Sequence, residues 1–260
     1  MAAFCVSTAC ASIACIANAR SVVDSELDLS VRVLGVSGPW VVFESGLGAG
    51  MNDWAKVAPV LAACTRVVLY DRLGIGTSPP LDDNGPVVAS AVAGRLARLL
   101  RTINATPPYI LVGHSLAGLY VQSFARLYPQ YVAGVVLVDA VSPLEPPGVF
   151  QSTIPPPPGS TAAAEEAGVA PSVDALLSGP SFPAVPLIVL AAASHNDTEE
   201  REALWRSIQK RTASLSPLGH MEVVKGSGHF IQNDSPQAVV RAVLRLAQSG
   251  GADITRCLAN

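Results

Sequence analysis

Charged and aromatic side chains are both scarce in this chain of 260 residues. Only 14% of the residues are Asp, Glu, Lys or Arg and 5% are Phe, Trp or Tyr, whereas half are hydrophobic. This composition is the opposite of that of a disordered segment and is sufficient for a large apolar core. The net charge is −3 and no cluster of Lys and Arg is present, so nucleic acid is not an expected partner.

The sequence also lacks the common motifs for metals and nucleotides. There is no Cys-x-x-Cys and no cluster of His and Cys, so no structural metal is expected. A Gly-rich loop at residues 45–50 follows a predicted strand. It is accompanied by neither a Gly-x-Gly-x-x-Gly pattern nor a Lys-Ser/Thr pair. We therefore expect no nucleotide and no other cofactor.

No apolar run is long enough to predict a membrane span, which needs about 20 strongly apolar residues. The uncharged stretch at residues 1–19 is shorter and ends in Ala17-Asn18-Ala19, the small-residue pattern of a signal-peptidase site. We predict that it is a signal peptide and that the mature protein is secreted or periplasmic, without stable membrane insertion. A buried N-terminal helix is the alternative, because the stretch has no positively charged start.

The distribution of cysteines agrees with export. Three of the five cysteines fall in the predicted signal peptide, and this leaves Cys64 and Cys257 as an even pair. Export to an oxidising compartment would permit a disulfide between them.

From residue 20 onward, short apolar runs alternate with amphipathic segments. This alternation predicts an α/β fold with a mostly parallel central sheet and helices on both faces, in a single domain covering residues 20–260. The predicted strands are residues 27–35, 40–44, 66–70, 109–112, 133–138, 186–190 and 220–224. The predicted helices are residues 51–63, 86–103, 116–125, 198–214 and 237–248. A Pro-rich segment at about 140–185 has little periodicity and is predicted to be a lid or long insertion.

One stretch carries the main functional signal. The buried strand at residues 109–112 runs through Gly113-His114-Ser115 into a buried helix, and this places Ser115 at a sharp strand-to-helix turn. The pattern Gly-x-Ser-x-Gly is met with Ala117 at its last place, followed by Gly118. A serine in such a turn has an exposed hydroxyl, but it needs a base and a carboxylate to act as a nucleophile. His229, in a Gly-rich turn after the last predicted strand, is the candidate base.

Together these features resemble the α/β-hydrolase superfamily over most of the mature chain, from about residue 27 to residue 248. Four segments carry the resemblance: residues 43–48 (FESGLG), 70–78 (YDRLGIGTS), 113–118 (GHSLAG) and 226–236 (GSGHFIQNDSP). The resemblance implies that Ser115 is the nucleophile and His229 the base. It also implies an oxyanion hole formed by the backbone N–H groups of Leu47 and Leu116.

The acidic member of the triad is less obvious. Relatives most often carry it after the strand that follows the lid, where the first acid here is Asp197. A smaller group carries it at the end of the strand after the nucleophile helix, where Asp139 lies. We favour Asp139, because a strand end holds a carboxylate more rigidly than a loop does.

The resemblance implies a serine esterase that acts on a small-molecule carboxylic ester, and we expect a monomer. A Ser nucleophile disfavours the dehalogenases and epoxide hydrolases of the superfamily, which use Asp. An aminopeptidase, with Glu145, Glu165, Glu166 or Asp174 holding the substrate amine, is an alternative. A ligand-binding member with very low turnover is another.

The resemblance also implies a disulfide. In this fold the helices at residues 51–63 and 237–248 lie side by side on one face of the sheet. Their C-terminal ends emerge at the same edge, so a flexible tail at residues 249–252 would bring Cys257 to Cys64.

Overall fold

Eight strands form one sheet whose central part is parallel. The computed structural model describes residues 20–23, 29–81, 85–150 and 154–258; the predicted signal peptide lies outside them. The strands are β1 (Arg20–Val23), β2 (Ser30–Leu34), β3 (Trp40–Glu44), β4 (Arg66–Tyr70), β5 (Tyr109–His114), β6 (Val132–Val138), β7 (Leu187–Ala192) and β8 (Gly219–Val224). Their order is β1-β2-β4-β3-β5-β6-β7-β8; β2 is antiparallel to β1 and β4, and all other pairs are parallel. The predicted fold class is confirmed.

Helices cover both faces of this sheet. They are α1 (Ala58–Leu61), α2 (Ala89–Thr102), α3 (Ala117–Leu127), α4 (Thr161–Ala167), α5 (Val169–Ser178), α6 (Glu199–Ala213), α7 (Ile231–Asp234), α8 (Pro236–Ser249) and α9 (Thr255–Leu258). Two 3₁₀ turns, Met51–Trp54 and Pro129–Tyr131, complete the set. None of the helices in the described ranges is both long and apolar enough to span a membrane.

Alternation along the strands separates two apolar cores. In β3, Val41 and Phe43 face the layer that contains α1 and α8, whereas Val42 faces the layer of α2 and α3. All three side chains are buried, because a parallel sheet with helices on both faces exposes neither side to water. The long runs of Val, Ile and Leu in the central strands follow from this requirement.

The prediction of one continuous helix at residues 51–63 is wrong. The structure divides it into the 3₁₀ turn Met51–Trp54 and the short α1, in which Pro59 lies in the first turn. Proline has no N–H for the hydrogen bond to the fourth preceding carbonyl, so a continuous helix is disfavoured and a new one begins there.

The Pro-rich insertion between β6 and β7 contains more helix than its sequence predicts. Ser160 caps α4 by accepting a hydrogen bond from Ala163 N, and α5 follows at once. Ala164 and Leu176 pack on Leu119 of α3 and Val92 of α2. The insertion is therefore packed on the helix that follows Ser115; its action as a lid stays a prediction.

The C-terminal tail returns to the edge of the sheet as predicted. Cys257 in α9 and Cys64 after α1 form a disulfide, with Cα atoms 5.6 Å apart and 193 positions between them in sequence. Both cysteines are buried, so the tail is fixed by packing and by a covalent bond.

The Cys64–Cys257 pair gives a testable prediction. Denatured, unreduced wild type and the double variant Cys64→Ser/Cys257→Ser should show equal numbers of free thiols, because the pair contributes none. The double variant controls for the three cysteines of residues 1–19. It should also be less stable, by at most about 5 kcal/mol for a loop of this length, in a denaturant titration. Two more free thiols in the wild type would contradict the disulfide.

Candidate active site

The functional candidates meet at one edge of the sheet because they all follow parallel strands. Leu47 follows β3, Ser115 follows β5, Asp139 follows β6 and His229 follows β8. The carboxyl ends of parallel strands in an open α/β sheet form the usual crevice for a ligand.

Ser115 occupies a strained turn between β5 and α3. Its φ is +53°, a left-handed conformation that non-glycine residues rarely adopt. The turn is held by Ser115 O, which accepts hydrogen bonds from Gly118 N and Val141 N, each at 2.9 Å. A Cβ atom on Gly113 would lie 2.8 Å from Ala117 O, and one on Gly118 would lie 2.6 Å from Val141 O. The small residues of the motif are therefore required by close backbone approach.

A continuous chain of hydrogen bonds joins three of the candidate residues. Ser115 Oγ lies 2.9 Å from His229 Nε2, and His229 Nδ1 lies 2.7 Å from Asp139 Oδ2. A carboxylate oxygen only accepts, so Nδ1 carries the proton and Nε2 is free to accept the proton of the Ser115 hydroxyl. Ser115 is thus paired with an imidazole in the tautomer that a general base would need.

Asp139 is the most enclosed carboxylate of the site. Its side chain is fully buried, and Oδ1 accepts hydrogen bonds from Ala192 N at 2.8 Å and Trp205 Nε1 at 2.9 Å. Burial alone would raise the pKa of Asp139, but hydrogen bonds from His195 and His229 lower it to about 2. The group is therefore ionised at neutral pH.

The alternative acid, Asp197, lies elsewhere. Its side chain is partly exposed and contacts two groups that are close in sequence. These are Thr198 N, one position further along the chain, and Arg201 Nε, four positions further along. It makes no contact with His229. The geometry thus brings Asp139, and not Asp197, to the histidine.

A second histidine, which the sequence analysis did not predict, lies beside Asp139. His195, in the loop after β7, places Nε2 at 2.7 Å from Asp139 Oδ2 and Nδ1 at 3.1 Å from Glu202 Oε2. The hydrogen bond to Asp139 raises the pKa of His195 to about 9. In the sequence, His195 had no motif around it that could have indicated this role.

Within the described ranges, one group of His, Cys, Asp or Glu side chains is compact enough to hold a metal ion. It consists of Asp139, His195 and His229. Their ligand atoms lie within 4.8 Å of one another. However, both histidine nitrogens are directed at Asp139 Oδ2 at hydrogen-bond distance. The hydrogen bonds account for the cluster, and we assign no metal to it.

Gly46, which precedes Leu47, lies beside Ser115, and Leu116 directly follows Ser115 in the chain. A Cβ atom on Gly46 would lie 3.2 Å from Ser115 Cβ, which is tighter than most real contacts, so a glycine eases this close approach. The carbonyl of Gly46 accepts hydrogen bonds from Arg72 Nη2 at 2.7 Å and Ala49 N at 3.2 Å. Because a trans peptide points its C=O and N–H in opposite directions, the N–H of Leu47 is turned away from Arg72. Neither Leu47 N nor Leu116 N donates to another described residue.

Arg72 is the centre of a buried charge cluster beneath that loop. It donates to Glu44 Oε1 at 2.7 Å, to Glu165 Oε1 at 2.6 Å and to the carbonyl of Ser45 at 2.7 Å. Although burial opposes its charge, Glu44 and Glu165 keep the pKa of Arg72 above its usual value. The second oxygen of Glu165 accepts from Gly48 N at 2.7 Å, so helix α4 of the insertion also holds the loop.

The neighbouring His114 has a supporting position. Its Nε2 lies 3.0 Å from the backbone carbonyl of His229, which can only accept, so Nε2 carries the proton. Burial lowers the pKa of His114 to about 4, and the ring is neutral at pH 7. It therefore holds the turn that presents His229.

The buried cluster makes a testable stability prediction. Arg72→Met leaves Glu44 and Glu165 without their cation, and breaking a buried pair in this way costs about 3–5 kcal/mol of unfolding free energy. Arg98→Met, which changes an exposed arginine of α2, should cost little. Denaturant unfolding of the two variants checks this, and equal small losses would contradict the role of Arg72.

Residues 39–167 match the family model for the alpha/beta hydrolase fold. An AB hydrolase superfamily protein of Gibberella zeae is 32% identical over 105 residues, or 39% of this chain and 32% of that protein. A relative from Variovorax paradoxus that bears the name carbamate hydrolase RutD is 39% identical over 106 residues, or 40% of this chain and 39% of that protein.

Among solved structures, an esterase from Thermogutta terrifontis superposes with a TM-score of 0.69 at 19% identity, over 89% of this chain and 98% of that one. At this identity the likeness concerns the fold, and the two relatives above are matched over about a third of their length. The family match, the strand order and the spacing of the four motif segments agree with one another. The chain belongs to the α/β-hydrolase superfamily.

Proposed function

We propose that this protein is a serine hydrolase that cleaves carboxylic esters through an acyl-enzyme intermediate. The observation that carries the proposal is the unbroken chain of hydrogen bonds from Ser115 through His229 to Asp139. This arrangement has the geometry of a nucleophile, a general base and a carboxylate that orients the base.

The three residues divide the proposed reaction between them. Ser115 Oγ attacks the ester carbonyl carbon while His229 Nε2 takes the hydroxyl proton. Asp139 stabilises the resulting imidazolium. When the tetrahedral intermediate collapses, the C–O bond to the alcohol breaks and His229 gives its proton to the leaving oxygen. Water, deprotonated by His229, then attacks the acyl-enzyme. The bond between the acyl carbon and Ser115 Oγ breaks, His229 returns the proton to Oγ, and the acid is released.

The oxyanion formed in both steps needs donors that are fixed in advance. Leu116 N lies at the start of α3, where the helix dipole also favours negative charge. The hydrogen bonds of Arg72 and Ala49 to Gly46 O fix the orientation of the peptide that carries Leu47 N. A missing donor typically costs about 3–4 kcal/mol of activation free energy, so this fixation is a substantial part of the proposed catalysis.

Two chemical alternatives on this fold are less well supported. An epoxide hydrolase of the superfamily attacks with an Asp carboxylate, whereas the elbow position here is Ser115. An aminopeptidase needs a free acid for the substrate amine, but Glu165 is bound to Arg72 and to Gly48 N. Glu145 receives the hydrogen bond of Ser142 N, and burial raises its pKa to about 7, so it is a poor anion.

The surface beside the site favours an ester with an apolar group. The side chains of Leu47 and Phe230 are 36% and 51% exposed. Phe230 packs edge-on against the imidazole of His229, with ring centroids 5.2 Å apart. Both residues border the groups proposed to react, and neither offers a charge to bind an ionic substrate.

Four substrate classes decide between the candidates: nitrophenyl esters of short and medium acids, aryl carbamates, aminoacyl anilides and styrene oxide. We expect the highest kcat/KM for the esters, and its loss in Ser115→Ala. Faster cleavage of carbamates or anilides would change the substrate class while retaining the serine mechanism. Epoxide opening that survives Ser115→Ala would contradict it.

Ser115 and His229 should act as a unit. Ser115→Ala and His229→Ala should each lower kcat for the best ester by about 10⁴–10⁶-fold, and the double variant by little more than either alone. Unchanged thermal unfolding of the variants serves as the control for folding. Losses that multiply would mean that the two side chains act in separate steps.

The two acids can be separated by a matched pair of variants. Asp139→Asn should lower kcat by about a thousandfold or more, because the amide cannot stabilise the imidazolium and can favour the wrong tautomer of His229. Asp197→Asn should change kcat little, since Asp197 pairs with Arg201 on the surface. The reverse result would reassign the acid and leave the fold unaffected.

A further inference from the structure

His195 forms a branch of the active-site hydrogen-bond chain that the proposed mechanism does not use. Asp139 Oδ2 is shared: His229 Nδ1 and His195 Nε2 each lie 2.7 Å from it. On its other side, His195 Nδ1 faces Glu202 Oε2 of α6 at 3.1 Å, and His195 N also donates to Oε1 of Glu202. One continuous series of hydrogen bonds thus joins Glu202, His195, Asp139, His229 and Ser115.

The geometry determines the charge of His195. Both of its ring nitrogens face carboxylate oxygens, which only accept hydrogen bonds. A neutral imidazole has a single N–H, so only the protonated ring can satisfy both contacts. His195 is 24% exposed, and its environment contains two acids within hydrogen-bond reach. The raised pKa of His195, about 9 because of the hydrogen bond to Asp139, agrees with a cation at neutral pH.

We propose that His195 is a positioning residue that stays cationic at neutral pH and, by sharing Asp139 Oδ2 with His229, makes His229 a weaker base than Asp139 alone would. The hydrogen bond holds Oδ2 toward His229, and the charge of His195 offsets part of the field of Asp139. The consequence for catalysis, which rests on the proposed function, is activity that extends further into the acidic range.

The expected size follows from the separation of the two rings. Their centroids are 6.3 Å apart, and the side chains are 24% and 37% exposed. With the strong screening of partly exposed groups, one unit charge at this distance changes the protonation equilibrium of its neighbour by about three- to tenfold. The sign is fixed, because removing the cation removes a repulsion that opposes a positive charge on His229.

Several other ionisable groups lie near His195 and His229, and the variants used in the test must leave them unchanged. Glu202 and Asp139 touch His195 directly, and Asp197 lies in the same loop, where it pairs with Arg201. Glu145 interacts electrostatically with Asp139 and has a pKa near 7. On the side of His229, the facing rings are the neutral His114 and the uncharged Phe230.

The test is histidine NMR on the full chain, which needs no activity. The sequence has four histidines, and single His→Gln variants assign their ring signals. We expect the His195 ring to remain protonated until about pH 9. In His195→Gln, which keeps a donor toward Asp139 but removes the charge, the His229 midpoint should rise by about half to one pH unit. His220→Gln, at an exposed histidine on β8, is the matched control and should leave the His229 midpoint unchanged.

The activity arm uses the best ester from the substrate panel. In His195→Gln, the acidic limb of the profile of kcat/KM against pH should move up by the same amount. Activity well below the midpoint should then fall about three- to tenfold further than the rate on the plateau does. A purely structural role would lower the plateau and leave the midpoint in place.

The outcomes separate the two proposals. Two results would overturn the role of His195, whatever the activity. One is an NMR titration midpoint of His195 at about 6.5, the ordinary value for histidine. The other is a His229 midpoint that does not move in His195→Gln. If the midpoints move as expected but no ester is cleaved, the role of His195 in the hydrogen-bond chain holds and the proposed function fails.

Discussion

The buried carboxylate of Asp139 is the interaction on which the candidate site depends. It accepts four hydrogen bonds, two on Oδ1 from Ala192 N and Trp205 Nε1 and two on Oδ2 from the histidines. An uncompensated charge in this position would be very unfavourable, so the donors are a condition for burying it. They come from β7, the loop after β7, α6 and the turn after β8. The position of His229 relative to Ser115 is thus fixed by elements that are far apart in the sequence.

A second buried charge cluster fixes the opposite side of Ser115. Arg72 binds Glu44 and Glu165 while it holds the carbonyls of Ser45 and Gly46, and Glu165 in turn holds Gly48 N. The strained serine therefore lies between two preformed frameworks, one for the base and one for the proposed oxyanion donors. Because α4 supplies Glu165, the insertion is part of the second framework as well as a cover on α3. Preorganised polar groups of this kind contribute most where water is excluded.

The sequence predicted those features that depend on local pattern. Buried strands are recognisable in the sequence as apolar runs. The strand-to-helix turn at Ser115 is recognisable because close backbone contacts require its glycines. The Cys64–Cys257 pair was predictable because two cysteines remain after residue 19 and because the resemblance to the family places the helices that precede them side by side. The break at Pro59 and the helices of the insertion were missed, since short helices depend on packing more than on periodicity. His195 and Glu165 were missed as partners because their contacts to Asp139 and Arg72 span 56 and 93 positions.

The location of the acid explains why a second histidine is present. With the carboxylate at the end of β6, the loop after β7 no longer has to supply it, yet that loop still passes beside Asp139 and His229. The buried carboxylate has more acceptor capacity than one histidine and two Oδ1 donors can fill. His195 fills the remaining site on Oδ2, and Glu202 balances its charge from α6. A carboxylate on a rigid strand end thus gains a precise position, and the adjacent loop becomes available to supply a second imidazole donor to it.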